Sequence, residues 1–389
     1  NEIDITAVFS KKMVKEPDSE AAAEKAATQK GSEQSSGPSE ASMADSLADL
    51  EIEELITLMK LEEDDDRYCQ LANYLQIKGQ RLKRDNAFDR LFPILLGLLD
   101  QNANERRSAT QCACALAIFL QLSRDEMAEH LLDHLEQRDF AKQEPVFRIF
   151  AKMGEDAADA LVRRMVACND LPARKAMAAA LVSIGAPAVP QLLGVLKDGR
   201  WHIVRTAVSI LGEVGNRDAV QGLTQSAYHA DSRVRMEAII SLAKIGGREA
   251  TLLLIDLLHD KSQAIRKQVI IWMGNTKNEK TLDPLLRVIE KSDITGRSEG
   301  LKREALLAVG RIGDRRALPA LYKLVKRRHW LARGCWDRLK LLAIETIGRL
   351  GGEEAKEFLE ELSVRGGHVG QTSSSVLETM EQRTADHHE

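Results

Sequence analysis

Small and aliphatic side chains recur along the middle of this chain at a fixed interval. Ala157, Ala188, Ala219 and Ala250 are equally spaced, and each is followed four residues later by a leucine, Leu161, Leu192, Leu223 and Leu254. Thr281 with Leu285 extends the series, and after two longer steps the pair returns as Ala317 with Leu321 and Ala355 with Leu359. A period of about 31 residues falls in the range of repeat arrays. Seven such units predict a solenoid, because each is a supersecondary element that buries its apolar face only against its neighbours.

The third unit shows what the element is. Ala173, Met177, Ala180, Leu181 and Ile184 share one helical face, and Gly185 supplies a left-handed stop. A second helix is expected over Ala188, Leu192, Leu193, Val195 and Leu196, with Pro187 near its first turn and Pro190 softening that boundary. Gly215 and Gly246 are stops in the next units, and Asn275 to Asn278 replaces the glycine in the fifth. The fold class predicted is all-α, a solenoid of stacked helical hairpins. An arginine ladder runs through it, Arg174, Arg205, Arg235 and Arg266, with Asp170, Asp198, Asp231 and Asp260 a few residues upstream. A planar guanidinium repeating in register with a carboxylate predicts a structural role, reaching its own loop or the next.

Stretches such as Leu196-Lys197-Asp198 leading to Val204-Arg205, and Gly246-Gly247-Arg248-Glu249-Ala250, resemble the short bacterial HEAT-like, armadillo-like repeats also found in phycobiliprotein lyases. The resemblance covers roughly residues 144 to 364. It implies the solenoid and no particular activity, since such repeats serve lyase subunits, enzyme scaffolds and adaptors alike.

The rest of the chain divides around this array. Residues 1–45 read as a disordered linker or the tail of a missing upstream domain, being rich in Ala, Ser, Glu, Lys and Gln apart from Ile3, Ile5, Val8 and Phe9. Residues 46–140 read as degenerate helical repeats or an N-terminal cap, 141–365 as the HEAT-like array, and 366–389 as a C-terminal helix and disordered tail. Helices are expected around Arg67 to Arg81, Ala87 to Leu99, Glu105 to Leu122 and Glu126 to Leu135. Ser123 and Glu126 have capping-box spacing for the last of these.

Composition adds little about function. Hydrophobic residues make up 44% and aromatics 4%, so the core is aliphatic, and a net charge of −4 argues for neither nucleic acid nor membrane. Five cysteines at wide spacing form no disulfide framework or zinc pattern, and no leader or spanning segment is visible, so a reduced, cytoplasmic protein is expected.

The two longer steps place insertions near Ser292 to Gly300 and Arg328 to Cys335, and per-repeat insertions gather on one face, often the binding face. The second lies in a run from Lys323 to Lys340 holding seven bases and one acid. Arg327, Arg328, Trp330, Arg333 and Trp336 there are the leading binding candidates, because Trp and Arg supply large contact area with directional polar groups. Trp201 and His202 are a weaker pair, of the basic and aromatic kind seen in HEAT-like glycosylases of alkylated bases.

Chemistry is sparse. His130 and His134 stand at i, i+4 on one predicted helix, a usable metal pair for which the sequence places no third ligand, so no metal is assigned. HEAT-like hydroxylases of deoxyhypusine use repeated His-Glu dipeptides for iron, and here the only one is His388-Glu389. No catalytic triad, phosphate loop or dinucleotide fingerprint is present. The sequence therefore predicts a non-catalytic scaffold without cofactor, binding a protein partner through the row of second helices and the basic loop. Nucleic-acid binding is the alternative, and an enzyme or lyase-like subunit the third reading.

Overall fold

A computed structural model describes residues 50–136, 143–293, 295–327 and 333–386. Ile3, Ile5, Val8, Phe9, Arg328, Trp330 and the His388-Glu389 pair lie outside the described residues. Every regular element among those described is helical, and the chain divides into two compact units, one ending at Ile184 and the other beginning at Gly185.

The first unit holds α1 (Ile52–Leu61), α2 (Asp65–Arg84), α3 (Phe88–Asn102), α4 (Ala109–Ser123), α5 (Glu126–Glu136), α6 (Gln143–Met153), α7 (Glu155–Ala167) and α8 (Leu171–Ile184). The acidic run Glu62 to Asp66 lies where α1 gives way to α2, and one member serves as a cap: Asp64 accepts from the Arg67 N–H at 2.9 Å. Arg107 holds the turn from the other side, donating to the carbonyls of Met59 and Lys60 at 2.8 and 2.6 Å, groups that the end of α1 leaves unsatisfied. The segment Glu105 to Arg107 is consequently a turn, and α4 starts four residues later than expected, capped by Ser108. The expected capping box at Ser123 is not formed. That residue ends α4 with its hydroxyl turned back to the Leu120 carbonyl, and Asp125 makes the turn with a positive φ of 57°.

The second unit continues with α9 (Val189–Val195), α10 (Trp201–Val214), α11 (Ala219–Ala227), α12 (Ser232–Ile245), α13 (Gly247–Asp256), α14 (Gln263–Asn275), α15 (Leu282–Glu290), α16 (Glu299–Ile312), α17 (Leu318–Lys326), α18 (Arg333–Leu350), α19 (Glu353–Ser363) and α20 (His368–Asp386). The alanines and leucines of the repeat are all buried, and Thr281, which replaces alanine, is buried with its hydroxyl donating to the Asn278 carbonyl at 2.6 Å. Each fully buried leucine contributes about 2 kcal/mol of apolar transfer, so the repeated positions are also the core. The two prolines split the expected second helix of the third unit: a 3-10 turn at Ala186–Ala188 precedes α9, which places Pro190 in the first helical turn, where its missing N–H costs little.

First helices of successive repeats pack directly on one another through small residues. A Cβ on Gly212 would lie 2.7 Å from the Ser241 Cα, and one on Gly274 would lie 2.7 Å from the Ala308 Cα, so α10 meets α12 and α14 meets α16 at backbone distance. Ser241 uses that closeness, donating to the Val208 carbonyl at 2.8 Å.

Candidate functional site

The arginine ladder serves several roles. Arg235 is buried and bidentate, reaching Asp260 of the next repeat at 2.8 and 3.2 Å and the carbonyls of His229 and Ala230 at 2.8 and 3.0 Å. Arg266 donates to the Asp260 carbonyl at 2.5 Å, tying its helix to the same turn. Arg205 is exposed and pairs at 3.3 Å with Glu237, not with an aspartate, and Arg174 has no side-chain partner among the described residues. Two of the upstream aspartates serve a local motif instead, Asp-x-Arg, in which the carboxylate accepts from the backbone N–H two residues on and pairs with that residue's guanidinium. Asp198 with Arg200, Asp231 with Arg233, and Asp314 with Arg316 all do this. Hydrogen bonds from Arg200 hold the Asp198 pKa at about 2.

Trp201 is half-buried beneath Arg233, whose guanidinium stands 3.4 Å over the ring, and His202 is exposed beside it, edge-on at 5.7 Å. The tryptophan is thus already covered on one face by a cation of its own chain.

The start of α18, with the last residues of the second insertion, reaches the first insertion. Arg338 on α18 makes a bidentate pair with Glu299 at the start of α16, at 2.7 and 2.9 Å, and Cys335 Sγ lies 3.9 Å from the Gly296 carbonyl. Trp336 corrects an expectation, for it is only 3% exposed: α18 turns it inward, where the Lys302 ammonium sits 5.5 Å from the ring centre. It packs α18 against the Lys302 junction and offers no contact surface. The basic run is also less free than its composition implies, because Lys323 pairs with Glu290, Lys326 with Glu361 and Arg338 with Glu299. Arg327 and Arg333 remain exposed.

Lys302 organises the junction. It is 1% exposed, and its ammonium donates to the carbonyls of Val288, Ile289 and Lys291 at 3.1, 2.5 and 2.5 Å, closing the carbonyl end of α15 where a cation is favoured. Burial pushes its amine pKa down to about 8, which leaves it charged at neutral pH. The first insertion leaves from that sealed helix end and is pinned by Asp293. Burial opposes ionisation of this carboxylate, but bonds from the Ser298 hydroxyl and N–H, the Thr295 hydroxyl and the Gly296 N–H outweigh it and hold its pKa at about 2.

What this builds is a groove of about 670 Å³. Its apolar side comes from residues such as Leu258, Val288 and Leu301, and its polar side from Arg266, Arg287, Lys291 and Arg297. Among the described residues Asp293 is the one carboxylate lining it, and that group is saturated by its loop. Arg287, Lys291 and Arg297 are exposed and have no carboxylate partner among the described residues. Of the groove cations only Arg266 stood out in the sequence, as a member of the ladder and not as a binding residue. The readable signal was the Asp293-to-Ser298 turn chemistry, in which an aspartate ties down the loop after a helix. Neither Trp201 nor His202 lines the groove.

No single helix among the described residues is long and apolar enough to cross a membrane. A family model described as HEAT repeats matches residues 158–243, 189–262, 222–300 and 251–334. A search of curated proteins returns no match. Among solved structures the chain is similar to human deoxyhypusine hydroxylase in complex with glycerol, at 16% identity over 68% of this chain and 99% of that one, with a TM-score of 0.28. It is similar also to the complex of CpcE and CpcF of phycocyanin lyase from a Nostoc species, at 17% identity over 66% of this chain and 96% of that one, TM-score 0.29. A mutant of Kap121p matches at 11% identity over 88% of this chain and 43% of that one, TM-score 0.41. The chain therefore carries HEAT repeats over residues 158–334, within an all-α repeat architecture.

Proposed function

We propose that this protein is a non-catalytic scaffold that holds an acidic, extended segment of a partner protein in the groove beside the first insertion. The observation that carries the reading is the charge arrangement: four cationic side chains face a partly apolar cleft whose lone carboxylate among the described residues is already satisfied. An apolar floor favours a polypeptide, whose side chains fill it, while exposed guanidinium and ammonium groups select carboxylates and speed encounter. The groove is framed by packed helix ends and by a loop latched at Asp293 and Lys302, so little ordering cost falls on the scaffold when a segment binds.

The test is a nuclease-treated pull-down with the native chain beside an Arg287→Glu/Lys291→Glu/Arg297→Glu variant. All three positions are exposed, so helicity stays unchanged. Partners that withstand nuclease and disappear in the variant support the scaffold. Recovery that depends on nucleic acid replaces it with the nucleic-acid reading. Loss only in a Trp330→Ala/Arg328→Glu variant moves the contact to the second insertion.

A further inference from the structure

The histidine pair on α5 has a third partner that its spacing could not supply. Asp89, in the first turn of α3, places a carboxylate oxygen 3.4 Å from His130 Nε2, and one ligand atom each of Asp89, His130 and His134 lie within 4.8 Å of one another. Two ligands about 2.05 Å from a tetrahedral zinc ion stand about 3.3 Å apart, so Asp89 and His130 already span one edge of such a site. His134 completes the set with a modest rotation of its side chain, since i, i+4 residues share a helical face.

Three further observations favour a ligand here over a plain ion pair. Nδ1 of His134 is buried with no hydrogen-bond partner among the described residues, a state that costs free energy unless something fills it. Asp89 is exposed and His130 is its one ion-pair partner among the described residues, so it can turn toward a cation without breaking another contact. The neighbouring acids on α5 are neutralised elsewhere, because Arg164 on α7 takes Glu129, Asp133 and Glu136 at 3.6, 2.5 and 2.7 Å.

We propose that Asp89, His130 and His134 form a site for a divalent transition-metal ion, with zinc the expected occupant. Two imidazoles and one carboxylate are a borderline donor set that suits zinc over calcium or magnesium. Three protein ligands leave a fourth position for water or for a side chain of a bound partner. The site lies in the first unit, and none of its three residues lines the basic groove.

The experiment is a Co²⁺ titration of the full chain followed by visible absorption, with Zn²⁺ competition. A His387→Ala/His388→Ala background removes the terminal imidazoles from the signal. One Co²⁺ per chain, displaced by Zn²⁺, is expected. Asp89→Asn and His134→Gln are each expected to weaken binding by at least about tenfold, the loss that follows even from removing an outer partner of a metal ligand. Asp89 is exposed, so Asp89→Asn leaves the fold intact and keeps the test valid should His134→Gln unfold the helix. Absence of binding at millimolar Co²⁺, or equal affinity in Asp89→Asn, overturns the site.

Discussion

Replacing Arg235 with leucine probes the contact that ties one repeat to the next. Arg235 is 3% exposed, and its guanidinium makes four hydrogen bonds, two to the Asp260 carboxylate and two to backbone carbonyls. Its loss strands Asp260, whose side chain is 8% exposed and keeps only the Ser262 N–H at 2.7 Å as a visible donor. Breaking one side of a buried pair costs about 3–5 kcal/mol, most of it from the uncompensated charge left behind. Arg235→Leu combined with Asp260→Asn removes that charge and keeps an acceptor for Ser262, so at least about half of the loss returns. Arg233→Leu, at an exposed and solvent-screened pair of the same helix, costs far less than Arg235→Leu. Urea unfolding followed by circular dichroism measures all three. The penalty of the single variant also shrinks in acid. In the native protein burial opposes Asp260 ionisation, but bonds from Arg235 and Ser262 prevail and set its pKa below the ordinary carboxylate value of 3.8. That stabilisation is present above this ordinary value and is lost as pH falls through the lower folded one, so native and variant stabilities converge there. A loss below about 1 kcal/mol for Arg235→Leu, well short of the cost of breaking a buried pair, or no recovery in the double variant, refutes the reasoning.

Other expectations follow from the same geometry. Gly274→Val forces a side chain onto the Ala308 backbone and destabilises by about 1–3 kcal/mol in urea unfolding. Leu223→Ala opens a cavity at a fully buried repeat position and costs about 2–5 kcal/mol by the same measurement. Asp198, held down by Arg200, remains ionised in carboxyl NMR titrations until about pH 2, and the stability it lends, complete above the ordinary value of 3.8, is lost as pH falls through the folded value of about 2. A midpoint near the ordinary carboxylate value contradicts the Asp-x-Arg motif.

Much of the fold was legible because its physics is local and periodic. The Ala and Leu positions return at one interval through the core array, and every one is buried, since a hairpin stacked on its copies must hide the same face each time. Gly215 stops α10 with a left-handed φ of 71°, and where the fifth unit lacks glycine Lys277 takes a positive φ of 48° instead. The candidate site was less legible. Trp336 reads the same in sequence whether it faces solvent or the Lys302 ammonium, and only the path of α18 decides. Lys302 is a lysine on a helix, and its burial depends on the carbonyl end of α15 arriving beside it. Asp89 stands far upstream of His130, with the whole of α4 between them, and joins it only through the packing of α3 and α5.

The most direct measurement is fluorescence anisotropy of a labelled acidic peptide, titrated with the purified chain in parallel with a single-stranded oligonucleotide over a range of salt. A scaffold that holds an acidic segment in this groove binds the peptide saturably, and the Arg287→Glu/Lys291→Glu/Arg297→Glu variant loses at least about tenfold in affinity, the charge-complementarity penalty expected when like charges face each other. Stronger binding of the oligonucleotide, with affinity falling steeply with salt, or peptide binding untouched by the three reversals, contradicts it.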